Sequence, residues 1–232
     1  MKKSNYFSII SAIILSVVLS SCASTKSESL YASPKPITVN YKRVKENYSY
    51  LATSLYYPSI VKYEKLDSKI KEVIYEDWND FNEYAKSHKD MGGFIYNLDS
   101  VVRNQGDLIS VKLLVTKAIK EEKGRVKAIT ICFNKENEEF LTIKDVSPYD
   151  EEKLSELCYK ALSFNIIDQN MYFLNEEELE DMEEKIKNAT LPEIRNFSCF
   201  TIEGDSLCIY FNDLLSTEYS EEIPKAELVF RD

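Results

Sequence analysis

Three β-rich runs follow one another between Phe94 and Asn134 with only short turns between them: Phe94–Arg103, Leu108–Ile119 and Arg125–Asn134. Asn104-Gln105-Gly106-Asp107 and Glu121-Glu122-Lys123-Gly124 supply the turns, being built of residues that accept tight backbone conformations. Runs joined this closely read as an antiparallel meander. In the second run Ile109, Val111, Leu113 and Val115 alternate with Ser110, Lys112 and Thr116, broken only at Leu114. A period of two with polar alternates predicts a sheet with one face against a core and one in water. Ahead of the meander, Ile70, Val73, Ile74, Trp78, Phe81 and Ala85 form one stripe at helical spacing. This predicts a helix from Leu66 to about Lys89, with Asp67 or Ser68 as N-cap and Gly92-Gly93 as the stop. Trp78 is expected in the core.

The flanks complete the outline. Residues 39–65 read as extended, with Pro58 suited to an edge or a bulge. Leu141–Val146 reads as a short extended stretch. Asp150 is expected to cap a helix to about Phe164, and residues 176–188 form a second, very acidic helix lying on the surface. Phe197–Ile202 and Leu207–Phe211 read as a hairpin, and Ala226–Phe230 as a last strand. Strands, helix, strands, helices and strands in that order, without regular βαβ alternation, predict an α+β fold with antiparallel sheets. A chain of 232 residues with 44% apolar side chains can bury one large core or two small ones.

The N-terminus reads as an address. Lys2 and Lys3 precede an apolar run of 13 residues, Phe7 to Leu19, shorter than the ~20 residues a membrane-spanning helix needs. Leu19-Ser20-Ser21-Cys22 follows at once and resembles the bacterial lipobox, in which the cysteine is acylated and becomes the new N-terminus. That resemblance implies lipidation at Cys22, a signal peptide over 1–21, a tether over 22–38 and a place on the extracytoplasmic side of a bacterial membrane. Cleavage would remove two lysines and no acid, taking the net charge from −10 to −12. So acidic a body has no electrostatic footprint for nucleic acid. It also predicts a domain held off anionic lipid headgroups by its tether.

Candidate chemistry is sparse. The chain holds one histidine, His88, no P-loop, no dinucleotide fingerprint and no Gly-x-Ser-x-Gly. Asp80, Tyr84 and His88 share one helix face, but a solvated helix end explains them better than a metal site. No catalytic residue, metal or cofactor is expected. Cys199 and Cys208 flank the hairpin turn. A two-residue loop at Glu203-Gly204 would set them opposite one another and one at Gly204-Asp205 would set them diagonally apart. A disulfide and a pair of free thiols both fit the sequence. Cys132 and Cys158 read as core. Among the 16 tyrosines, Tyr56, Tyr57 and Tyr210 are the candidate ligand contacts, since exposed rings on a sheet can stack on sugars or grip a protein.

Leu55-Tyr56-Tyr57-Pro58-Ser59-Ile60 before the amphipathic helix, and Asp107-Leu108-Ile109-Ser110-Val111 after it, resemble segments of domain of unknown function 4163. Phe140-Leu141-Thr142-Ile143-Lys144-Asp145-Val146, the hairpin from Asn196-Phe197 to Tyr210-Phe211, and Ile223-Pro224 resemble domain of unknown function 3298. The similarity runs over roughly residues 45–232. It implies a 4163-like half over 39–125 and a 3298-like half over 126–232. The family occurs in extracytoplasmic domains of lysozyme-sensing anti-sigma factors and of peptidoglycan deacetylases, where it is not the catalytic part. The resemblance therefore implies a non-catalytic binding or sensory module whose ligand is peptidoglycan or a basic, lysozyme-like protein. The family's Gly-Gly-Ala-His loop is missing from the charged stretch Ala118 to Arg125, so contacts made by that loop do not carry over. The rival classes are a carboxylate-dependent hydrolase of envelope carbohydrate and a structural lipoprotein of a membrane assembly.

Overall fold

The three alternating runs form the middle of a six-stranded sheet. The computed structural model describes residues 36–119, 124–168, 175–214 and 223–230. β3 (Phe94–Gln105), β4 (Leu108–Ile119) and β5 (Arg125–Asn134) pair antiparallel in sequence order. Gly106, at φ 52°, stands in the left-handed region that the tight β3–β4 turn requires and that glycine enters without strain. β1 (Asn40–Asn47) and β2 (Leu51–Ser59) form a hairpin on one side, and β6 (Glu139–Phe140) ends the other, giving the order β1-β2-β3-β4-β5-β6. The expectation of purely antiparallel pairing needs one correction. Leu51–Leu55 and Phe94–Leu98 run parallel, because α1 (Glu64–Ser87) carries the chain from the end of β2 back to the start of β3. Pro58 pairs with Tyr41 of β1 but lies past the last β2–β3 pair, so it stands at an edge on that side.

α1 lays its stripe on one face of this sheet. Leu66, Ile70, Ile74 and Ala85 are fully buried against Leu51, Leu55, Phe94, Ile109 and Leu113. Each such side chain contributes about 1.5–3 kcal/mol by leaving water. Trp78 packs half-buried on this core and donates Nε1–H to Thr53 Oγ1 at 3.1 Å. The helix begins three residues before the expected cap. Tyr63 is the N-cap and makes no capping bond with its side chain. Asp67 instead turns toward the end of β2, accepting Ser59 Oγ–H and the Ile60 N–H at 2.8 Å each.

A second core lies on the other side. It is built by α2 (Ile143–Val146), α3 (Glu151–Leu162), α4 (Glu176–Ala189) and a three-stranded antiparallel sheet, β7 (Phe200–Glu203), β8 (Ser206–Tyr210) and β9 (Lys225–Val229). Leu154, Cys158, Leu162, Met182 and Ile186 meet Phe200, Leu207 and Ile209 there. Asp150 caps α3 by accepting the Lys153 N–H at 2.8 Å. α4 carries its acids on an exposed surface and buries only Met182 and Ile186, as its thin stripe predicts. The expected extended stretch at 141–146 is instead one helical turn: Thr142 and Asp145 form a reciprocal capping box that outweighs the β-branched residues around it. The first residue of the expected strand, Phe197, instead ends a 3₁₀ turn, Ile194–Phe197, and β7 begins only at Phe200.

β5 bears on two further expectations. The expected division at 125/126 falls at its first residue, and β5 is hydrogen-bonded along its length to β4. The face of β4 and β5 expected to be wet is covered by the β7–β8 hairpin. Ser110 and Thr130 accept the Ile202 and Phe200 N–H groups at 3.1 and 2.9 Å. The polar alternates of the sequence thus satisfy the free edge of β7.

Candidate functional site

Cys22, the signal peptide and most of the tether lie outside the described residues. The hairpin takes the Gly204-Asp205 loop, pairing Glu203 with Ser206 and Thr201 with Cys208. Cys199 instead meets Tyr210, whose N–H it accepts at 2.8 Å. The cysteines are therefore diagonal and both are free, so the cross-strand disulfide is not formed in this register. Burial pushes the Cys208 thiol up to about 11 and raises that of Cys199 as well, which keeps both protonated at neutral pH.

The three candidate tyrosines separate. Tyr57 is 3% and Tyr210 5% exposed, so neither is available to a ligand. Tyr57 points to the α1 side, its hydroxyl pushed up to about 12 by burial and by Tyr75. Tyr210 lies between the hairpin and β4, bonded to Thr201, Lys112 and Glu203. A tyrosine in an alternating strand looks the same whether its second face is wet or covered. Tyr56 alone stays half-exposed, on the sheet face away from α1, stacked on Tyr41 at 4.8 Å with Arg43 5.5 Å from its centroid.

A concave surface that sequence reasoning did not single out is a groove beside α1. It runs between α1 and the adjoining ends of β4 and β5. Two neighbouring cavities of 410 and 540 Å³ share Lys127 and Asn212. α1 lines them with two adjacent rows at helical spacing: Val73, Asp77 and Phe81 deep, Glu76, Asp80 and Tyr84 at the rim. β5 faces them with Arg125 and Lys127. The strip is set by a central carboxylate. Asp77 accepts Lys117 Nζ–H at 2.9 Å and Tyr96 Oη–H at 2.8 Å, with Lys127 Nζ 3.8 Å away. Burial and the Asp77 charge hold the Tyr96 hydroxyl well above its ordinary range, so it stays a donor. Lys117 in turn lies 5.5 Å from the Phe81 centroid, a cation–π distance.

The floor is fixed just as closely. Asn212 clamps the segment after β8 to β5, accepting the Ala128 N–H at 2.8 Å and donating to the Ala128 carbonyl at 2.9 Å. Cys199 sits beside it, its thiol 3.5 Å from that carbonyl. The rim is different. Glu76, Asp80 and Arg125 are exposed and make no ion pair among the described residues. At the end of α1, Tyr84 stacks on His88 at 4.3 Å, and His88 Nδ1 lies 2.9 Å from the Tyr84 carbonyl. The histidine closes the helix end. Among the described residues, no group of three or more His, Cys, Asp or Glu side chains is placed to hold a metal ion.

No sequence signal could have assembled this groove. Asp77, Lys117, Lys127 and Asn212 come from a helix, two strands and a turn spread over most of the chain, and each alone reads as an ordinary surface residue.

No family profile matches the sequence, and no curated protein matches it. Solved structures do. A DUF3298 family protein from Pseudomonas aeruginosa PAO1 superposes with a TM-score of 0.60 at 15% identity, over 84% of this chain and 92% of its own. A member of the same family from Bacteroides fragilis NCTC 9343 superposes with a TM-score of 0.51 at 15% identity, over 83% of this chain and 91% of its own. The chain shares the fold of these DUF3298 proteins along nearly their whole length, in agreement with the resemblance read from its short motifs.

Proposed function

We propose that the protein is a lipid-anchored module of the bacterial cell envelope that binds peptidoglycan, without catalysis, in the groove along α1. The carrying observation is the groove itself: a rigid floor and an aromatic wall between rims of opposite charge, of which Glu76, Asp80 and Arg125 make no ion pair among the described residues. The presequence supplies the location, since Cys22 follows its apolar run as a lipidated cysteine does. No helix among the described residues is long and apolar enough to cross a membrane; in this reading the lipid on Cys22 is the attachment. The state of the carboxylates favours binding over hydrolysis. A glycosidase general acid needs a carboxyl raised toward neutrality. Among the described residues, the carboxyls displaced from their ordinary range, Asp67 and Glu203 among them, are displaced downward by lysines and hydrogen-bond donors.

A basic, lysozyme-like protein is the second reading. It is favoured by the net charge of −10 and by the exposed acids of α4, Glu176 to Glu184. The test is retention of the full-length protein, in detergent, on purified wall sacculi and on immobilised lysozyme at low and moderate salt. Retention on sacculi with no release of soluble fragments is the expected result. Wall hydrolysis lost on one Asp or Glu substitution would establish the enzyme instead. Retention on lysozyme alone, falling steeply with salt, would move the reading to the protein partner, and retention on neither would end both.

A further inference from the structure

Glu76 and Asp80 stand one turn apart on α1, both exposed and both negative. Like charges at this spacing destabilise a helix slightly, and α1 offsets others of its acids, Asp67 with Lys71 and Glu72 with Lys69. This pair has no such partner among the described residues. Arg125, at the start of β5, is exposed and makes no ion pair with another described residue, and Lys127 beside it is only loosely held, 3.8 Å from Asp77. The acids line the cavity shared with Cys199 and Thr130, Arg125 lines the one shared with Phe81 and Tyr84, and Lys127 lines both, so Arg125 alone marks the end away from the acids and Lys127 reaches toward it from the middle. Between them Asp77 binds Lys117 and so closes the middle of the groove to a charged group.

The span is defined by the helix. From Glu76 to Tyr84 the axial rise is about 12 Å at 1.5 Å per residue. An extended chain covers that with about three to four residues at ~3.3 Å each. A neutral N-acetylated glycan offers hydroxyls and amides to the two ends but no opposite charge. A short peptide with a free amine and a free carboxylate offers one group to each.

We infer that the groove along α1 is a subsite for a zwitterionic peptide, the stem-peptide part of the wall and not its glycan, with the amine at Glu76 and Asp80 and the carboxylate at Arg125 and Lys127. This rests on the wall-binding reading above and adds which chemical part of the wall is held. Phe81 and Tyr84 give the wall against which the peptide's apolar atoms lie. Because both charged ends are exposed, the attraction weakens as salt rises.

The test measures binding of the full-length protein to the stem peptide freed from purified wall, to the same peptide acetylated on its amines, to the peptide amidated on its carboxylates, and to chitotetraose. The free peptide should bind and each blocked form should bind about tenfold more weakly. Glu76→Gln with Asp80→Asn should lower affinity for the free peptide and abolish discrimination against the acetylated one, leaving discrimination against the amidated one. Arg125→Gln with Lys127→Gln should do the reverse. All four side chains are exposed, so unchanged thermal unfolding is the control for folding. Chitotetraose binding as well as sacculi, with no response to blocking, would overturn the peptide assignment and leave wall binding in place. Failure to bind sacculi in any form would remove both.

Discussion

β4 and β5 are covered on both faces, and the two covers differ in kind. Toward α1 they present Ile109, Val111, Leu113, Val115, Ile131 and Phe133, all buried and all apolar. Toward the hairpin they present Ser110, Lys112, Leu114, Ala128, Thr130 and Cys132, half of them polar, against Cys199, Thr201, Cys208 and Tyr210. The first interface is held by area removed from water. The second is held by matched hydrogen bonds: Ser110 and Thr130 take the outward N–H groups of β7, and Lys112 donates to Tyr210 at 3.0 Å. An edge strand with unpaired N–H groups is a liability. Here the sheet beneath it carries the acceptors, so a face that looks solvated in the sequence becomes an interior.

The largest expected effect lies on the apolar side. Leu113→Ala should cost about 2–5 kcal/mol, as truncations in closed cores do when the cavity cannot collapse. Denaturant unfolding with an unchanged slope would read it. Ser110→Ala removes no comparable volume but leaves the Ile202 N–H without its acceptor, for about 1–3 kcal/mol. If Ser110→Ala were neutral, the hairpin would be held by its apolar contacts alone and the contrast between the faces would be wrong.

That contrast also explains what could be read in advance. The α1 stripe, the meander and the alternation of β4 were legible because each buries a periodic apolar set against a single partner. The hairpin face was not, because Ser110, Lys112 and Thr130 take on hydrogen-bond partners some 70–100 positions away. Tyr210 is buried under the same hairpin, Tyr57 is buried on the α1 side, and Tyr56 stays half-exposed. The α2 turn at Thr142 was lost to a two-residue capping box inside an apolar, β-branched run. The parallel β2–β3 pair was lost because one crossover helix leaves no alternation to detect. The groove is the extreme case, being made only of residues brought together by the finished fold.

Asp67 sharpens the comparison, as a buried charge on the otherwise apolar side. Burial alone would raise its carboxyl, but Lys71, Ser59 and the Ile60 N–H outweigh it and hold the group below the ordinary carboxylate range. Its stabilising contribution is therefore complete above the unfolded-state value of about 3.9 and is lost as pH falls through the lower folded value. Asp67→Asn keeps one acceptor and loses the charge, so it should cost about 1–2 kcal/mol at neutral pH. The difference from wild type should shrink as pH is lowered through 4 and below, followed by denaturant midpoint against pH. A constant difference across that range would show that shape, not charge, is what Asp67 supplies.

The smallest effect tests the polar side from within. The Tyr210 hydroxyl donates to Glu203 at 3.1 Å and accepts from Lys112 at 3.0 Å, with Thr201 also 3.1 Å away. Tyr210→Phe keeps the ring and removes the centre of this set. Lys112 and Glu203 still lie 3.6 Å apart and Thr201 still reaches Glu203, so the remaining groups keep partners. The expected cost is about 1 kcal/mol, near the net value of one internal hydrogen bond. Binding to sacculi should be unchanged, because the hydroxyl is sealed under the hairpin and does not line the groove. A Tyr210→Phe variant of full stability with weakened binding would reverse the assignment: the hairpin face would then open to ligand, and the interior inferred for it would be a site.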